Sequence, residues 1–328
     1  RKNEDFIHEF EAYAPAALGY AAFLVACGVI SMEVHDFWRF STTDDRILYS
    51  YCSLAVLWGC QALVATALGV RFEFPVFRVT SLILSVVAVL FFIAHYPFHS
   101  MAFMPVVNIP FASWTVLVAT LAAASLTERQ AGSLSDPPDI NLSVVFALLA
   151  FGVACTIASL EIKDYWLLSS YRNKITHACS SLVVLWSAIG LGTHKALRRE
   201  RFIRMAYVEW VVFAIGGGMC LGAMLGWIHP SVLLGLNSVF LARLTFIVVL
   251  WIASRRALTH QGIPVGRIYE HVGHAFLALL VAVELYRWGT YTSLVSRRMA
   301  VTLISAAWGL QAFFLIWVGL ATANRPRR

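Results

Sequence analysis

The chain has 328 residues, of which 59% are hydrophobic and 13% charged, against roughly 45–50% apolar and about 25% charged in soluble domains. Together with a mean hydropathy of +0.73, this excludes a pair of water-soluble domains and points to an all-α integral membrane protein. The net charge of +7 does not indicate a nucleic-acid partner, because the basic residues fall in short loops between apolar runs, where they set topology.

Residues 1–13, RKNEDFIHEFEAY, are polar and acidic; they read as a cytoplasmic lead-in and not as a signal peptide. About 20 apolar residues are needed to cross a hydrocarbon core of roughly 30 Å, and ten runs of that kind follow. They lie at about 14–34, 48–70, 79–95, 106–126, 142–160, 175–194, 203–225, 232–253, 269–286 and 299–321. The runs are continuous and lack the alternation of a lipid-facing strand, so they are helices and not barrel strands. With ten spans both termini share one side. That side carries sixteen Lys and Arg against eight on the other, which places both ends in the cytoplasm. Cys27, Cys52, Cys60, Cys155, Cys179 and Cys220 all sit inside apolar stretches without a CxxC pair, and read as small buried hydrophobes.

The chain repeats itself. Shifted by 128 residues, 18–58 aligns with 146–186 without a gap, and 16 of the 41 positions are identical, among them Cys27, Glu33, Asp36, Trp38 and Trp58. Asn108 and Phe111 return as Asn237 and Phe240. A third copy begins near residue 269, where Glu284, Trp288 and Trp308 answer Glu33, Trp38 and Trp58. The expected organisation is a four-span unit over 14–126, a second over 142–254, and the first half of a third over 269–328. Four is an even number, so the units enter the membrane in the same sense, as parallel repeats. Asp136-Pro-Pro-Asp139 marks the cytoplasmic linker between the first two. The third unit stops after two spans and the chain lacks an initiating Met, which reads as an excerpt from a longer protein.

A Trp within a span, a Gly closing that helix, a short basic loop, an Arg opening the next span and a later Asn-x-x-Phe recur along the chain. Trp58, Gly69, Arg78 and Asn108 carry them first. The combination resembles the long, many-spanning bacterial predicted-membrane-protein family of the domain-of-unknown-function 2339 type. The resemblance covers nearly the whole chain through dispersed positions, and implies a bacterial inner-membrane protein built from repeated helix sets. It implies no activity and no site. The second unit departs from it, with Ile189 at the place of Gln61 and Gln311 and no Gly at the helix end.

The most repeated polar feature is S-[ML]-E-x-x-D-[FY]-W at the extracytoplasmic interface: Glu33 and Asp36, then Glu161 and Asp164; the third copy keeps Glu284 and puts Arg287 in place of the Asp. Carboxylates one helical turn apart can bind a cation or shuttle protons. They also suit a solvated helix end beside an aromatic belt, and recurrence favours that architectural role. Arg243 lies in the eighth span and Glu209 in the seventh. A buried charge there costs at least about 2.5–3.5 kcal/mol on insertion scales, so a partner or a water-filled cavity is expected. Glu209 is the acid nearest Arg243 in sequence, about seven residues closer to the cytoplasm. A structural pair and a charge on a substrate pathway both fit.

His95 and His99 straddle Pro97, and His271 and His274 lie beside Glu270. Either pair suits haem or a metal only if a further ligand converges, so no cofactor is expected. Gly218, Gly222 and Gly226 form two GxxxG steps, a pattern that brings helices into close contact. Gln61 and Gln311 suit interhelical hydrogen bonds. GxSxG, Walker and dinucleotide motifs do not occur. The reading is a non-enzymatic repeat-built scaffold, or a conduit for hydrophobic or envelope-related molecules. Its expected partners are membrane lipids, further repeats of the same chain, and a protein or glycan. Two alternatives stand beside it. One is a membrane-embedded enzyme on a lipid-linked substrate, with Glu33, Asp36, Glu161 and Asp164 at its site and Arg243 deeper. The other is an ion- or proton-coupled transporter.

Overall fold

The computed structural model describes residues 2–43, 45–94, 108–132, 141–171, 173–197, 206–225, 237–255, 265–291 and 296–323. Among them the chain forms ten helices and no strand: α1 (Lys2–Arg39), α2 (Arg46–Arg71), α3 (Pro75–Ala94), α4 (Ile109–Gly132), α5 (Leu142–Leu168), α6 (Lys174–Leu197), α7 (Ala206–Leu225), α8 (Ser238–Ser254), α9 (Val265–Tyr291) and α10 (Arg297–Ala323). Seven of these contain a segment long and apolar enough to cross a membrane; Pro75–Phe91, Tyr207–Gly222 and Ser238–Ser254 are apolar but shorter. This is the all-helical, multi-pass character that the composition demands. The acidic lead-in is helical too, continuous with α1 from Lys2. Hydropathy marks the lipid-depth part of a helix, and helical hydrogen bonding runs on where the side chains turn polar.

The chain divides into two compact units, Arg1–Asp164 and Tyr165–Arg328. In the first, α2 packs against α3 and α4, and α1 lies on α2. Its core joins Cys52 and Ala55 of α2, Ala88 and Val89 of α3, and Trp114, Leu117 and Leu121 of α4 to Phe146, Ala150, Val153 and Ile157 of α5. In the second, α6 packs against α7 and α8, α8 against α9, and α9 against α10. Val183, Phe213, Phe246 and Leu250 there meet Tyr269 and Leu280 of α9. The division falls inside α5, beyond the linker marked by Pro137 and Pro138, because α5 buries its apolar stripe in the core made by α2, α3 and α4.

Paired polar contacts tie neighbouring helices together in both units. Trp38 Nε1 donates to Ser53 Oγ at 3.1 Å, and Trp166 Nε1 to Ser181 Oγ at 2.9 Å. Gln61 Nε2 reaches the Cys27 carbonyl at 3.4 Å, and Gln311 Nε2 the His274 carbonyl at 2.9 Å, as expected of amides inside spans. The glycine expectation needs correcting. A Cβ on Gly218 or Gly222 would meet nothing within 4 Å, so the GxxxG face makes no close contact at these two positions. Gly226 lies outside the described residues. The close approach is instead at Gly216, where a Cβ would sit 2.8 Å from Cε2 of Phe246.

Candidate functional site

Asn108 and Glu161 meet at the amino end of α4, and Asn237, Glu284 and Arg243 at that of α8. Helix starts leave backbone N–H groups without intrahelical partners, and an Asn at the N-cap satisfies one of them. Asn237 has extended backbone (φ −92°, ψ 153°), and its side-chain oxygen accepts from the Phe240 N–H at 2.8 Å. Asn108 does the same for Phe111 at 2.7 Å. Each Asn then has an amide nitrogen left to donate, and both use it identically. Asn108 Nδ2 donates to Glu161 Oε1 at 3.0 Å, and Asn237 Nδ2 to Glu284 Oε2 at 3.3 Å. One side chain thus starts a helix and holds a carboxylate on the next helix in the core. Asp would keep the cap but lose the donor and repel the Glu.

The groups around the two clasps differ in charge. At the first, Glu161 and Asp164 are both buried, one turn apart on α5, and the buried Trp114 stands six residues into the α4 segment that begins with Asn108. At the second, Arg243 occupies the position six residues beyond Asn237 and is 0% exposed. Its Nη1 lies 4.0 Å from Glu284 Oε1, and Nη1 of Arg287, one turn along α9, lies 4.0 Å from the same oxygen. Glu284 therefore meets an amide on one oxygen and two guanidinium groups on the other.

The pairing of Arg243 with Glu209 suggested by sequence proximity is not what the fold makes. Arg243 faces Glu284, and Glu209 Oε1 lies 2.8 Å from His194 Nδ1. The reason is packing. α8 packs more extensively against α6 and α9 than against α7, and the acid that reaches Arg243 comes from α9. The Arg243–Glu284 contact is legible only if the Asn-x-x-Phe and Glu registers are laid over one another.

Glu33 and Asp36 are exposed on α1, whereas Glu161, Asp164 and Glu284 are buried. The recurring carboxylates thus occupy two kinds of environment, and the reading of all of them as solvated helix ends fails for the buried three. His271 is exposed and the His274 ring lies 5.3 Å from that of Trp251, tilted by 50°; His95 and His99 lie outside the described residues. Among the described residues no group of three or more His, Cys, Asp or Glu side chains has metal-binding geometry. Two further pairs escaped sequence reasoning. His194–Glu209 joins α6 to α7. Arg78 forks onto Glu128, joining α3 to α4, with Nε at 2.9 and 3.0 Å from the two carboxylate oxygens and Nη2 on Oε2. Gly69 admits Arg78: a Cβ there would lie 2.6 Å from Arg78 Cγ. The recurring Gly and Arg were the signal, but nothing in the sequence ties them to Glu128.

A cavity of about 530 Å³ opens in the first unit beside the Trp38–Ser53 bond, lined by Trp38, Tyr49, Cys52, Val56, Leu57 and Ile109 among others. No family model, no curated protein and no solved structure matches the chain.

Proposed function

We propose that this chain is a non-enzymatic, repeat-built scaffold of the bacterial inner membrane, with parallel four-helix units and both ends in the cytoplasm, in keeping with the family it resembles. The observation that carries this reading is the use made of the most conspicuous polar residues. Asn108 with Glu161, and Asn237 with Glu284, spend their hydrogen bonds on holding one helix to the next. A catalytic or ion-coupling carboxylate needs a path to substrate or water. These two are buried and bonded to the cap of an adjacent helix. Small polar contacts of this type join helices where lipid supplies no hydrophobic drive between them.

The test is a stability cycle on the full chain in detergent. Asn108→Ala, Glu161→Leu and the double variant are expected to lower the unfolding midpoint non-additively, with a coupling of about 0.5–1.7 kcal/mol for one interhelical hydrogen bond. Wild-type stability of Asn108→Ala, together with loss of a co-purifying lipid or glycan, would overturn the scaffold reading. The cavity beside Trp38 favours a second role, as a conduit or holding place for a hydrophobic molecule. For that role, Cys60→Trp, which fills the cavity from its exposed wall, would strip a co-purified hydrophobe and leave the unfolding midpoint in place.

A further inference from the structure

The face that α5 and α9 bury is present a third time, uncovered. On α5 the buried stripe runs through Phe146, Ile157 and Glu161, at 0%, 7% and 8% exposure. The register that relates Glu161 to Glu284 takes these to Tyr269, Leu280 and Glu284 on α9, at 6%, 0% and 8%. The 128-residue register takes them to Leu18, Val29 and Glu33 on α1. There Leu18 is 71% exposed, Val29 is 52% exposed and Glu33 is exposed. Val25, at the register of the buried Val153, is 66% exposed. The opposite side of α1, with Tyr20, Cys27, Ser31 and Trp38, is the side that bonds to α2 and α3.

What covers the face at its other two occurrences is known in detail. On α5 it is a core shared by α2, α3 and α4, in which α4 bonds at both ends of the stripe, Asn108 to Glu161 and Ser125 Oγ to the Ser143 carbonyl. On α9 it is α8, with Asn237 at Glu284 and Phe246 and Leu250 below. Lipid alone would accept Leu18, Val25 and Val29. Water and headgroups solvate an exposed Glu33 at the end of that stripe, whereas in both buried copies the carboxylate takes the amide of an N-cap Asn.

We infer that this face of α1 is a docking surface for a membrane helix of the α4 type, belonging to a further four-helix unit of the same pattern. The partner helix starts with Asn-x-x-Phe at the level of Glu33. Its Asn oxygen caps its own first turn while its amide donates to the Glu33 carboxylate. Bulky apolar residues then run past Val29 and Val25 to Leu18. A second copy of the chain does not fit, because its α4 and α8 are already committed to α5 and α9. The inference rests on the repeat reading proposed above.

The experiment uses the full chain in phosphatidylethanolamine–phosphatidylglycerol nanodiscs, with a photo-crosslinking phenylalanine analogue placed at Val25 or, as control, at Ile30. Both positions are exposed and apolar, but Ile30 lies off the stripe. The probe is a synthetic peptide of residues 106–130, the α4 helix with its Asn cap. The expected result is crosslinking from position 25 well above that from position 30. Asn108→Asp in the peptide, or Glu33→Leu in the chain, should cut the yield roughly three- to fifteen-fold, as the loss of one interhelical hydrogen bond in a membrane would. Equal yields from positions 25 and 30, or an undiminished yield from the Asp peptide, overturn the inference. If docking fails while Asn108→Ala still destabilises the chain, the scaffold reading stands alone. If Asn108→Ala leaves stability untouched, both fall.

Discussion

The two clasps share one hydrogen-bond pattern, and the second adds two guanidinium groups to it. At Asn108–Glu161 a second buried carboxylate, Asp164, follows one turn along α5, and Trp114 holds the register that Arg243 has in the second unit. Around Asn237–Glu284 stand two guanidinium groups, Arg287 and Arg243. A parallel swap occurs nearer the other end of the helices. Thr66 Oγ1 and Ser81 Oγ meet at 2.5 Å in the first unit, and His194 and Glu209, each 128 residues further on, meet at 2.8 Å in the second. In both places the contact stays and the chemistry changes. The fold thus needs a hydrogen bond at these points, and the net charge around it is free to differ.

Removing the central carboxylate should separate the two clasps most widely. Glu284→Leu leaves two guanidinium groups facing an apolar side chain, one of them on the fully buried Arg243, and is expected to cost about 3–5 kcal/mol. Glu161→Leu takes this acceptor from the Asn108 amide, a loss of about 1–2 kcal/mol for a neutral donor left unsatisfied. Equal shifts of the denaturant midpoint in detergent would show that the flanking charges do not matter. Next in size is Arg78→Met. It takes the fork away from Glu128, whose side chain is 1% exposed while that of Arg78 is 28%, and should cost about 2–3 kcal/mol, less than a fully buried pair. A smaller effect comes from transplanting one unit's pair into the other. His194→Ala alone is expected to lose about 1–2 kcal/mol. His194→Thr combined with Glu209→Ser, the pair used at Thr66 and Ser81, should recover most of it in thermal unfolding. The smallest is Trp38→Phe against Trp166→Phe. Each deletes one Nε1 hydrogen bond to a serine, and the two losses should match at about 0.5–1 kcal/mol.

Much of the architecture was open to reading because continuous apolar runs have one solution in lipid. The places where reading fell short are physical. α1 starts at Lys2, a dozen residues before the apolar run, since helical hydrogen bonds do not require apolar side chains. α8 starts at Ser238, six residues after its run begins, because Asn237 caps it there. The site was legible as a set of residues, Asn108, Asn237, Glu161, Glu284 and Arg243, but not as a set of contacts. Sequence proximity sent Arg243 to Glu209, whereas α8 packs on α9. Glu33, Glu161 and Glu284 look alike on the page, and only packing separates the exposed one from the two that are buried.

The double duty of Asn108 and Asn237 constrains where the chain can change length. A helix turns 100° per residue. One residue added between Asn108 and Trp114 would therefore swing Trp114 off the core while the cap stayed in place. The same residue added ahead of Asn108 would leave both cap and core aligned. Tolerance to insertion should switch abruptly at each of these asparagines, free upstream and closed downstream. A scan of single-alanine insertions from 104 to 114 and from 233 to 243, scored by yield of folded protein, would draw that edge twice at the same letter.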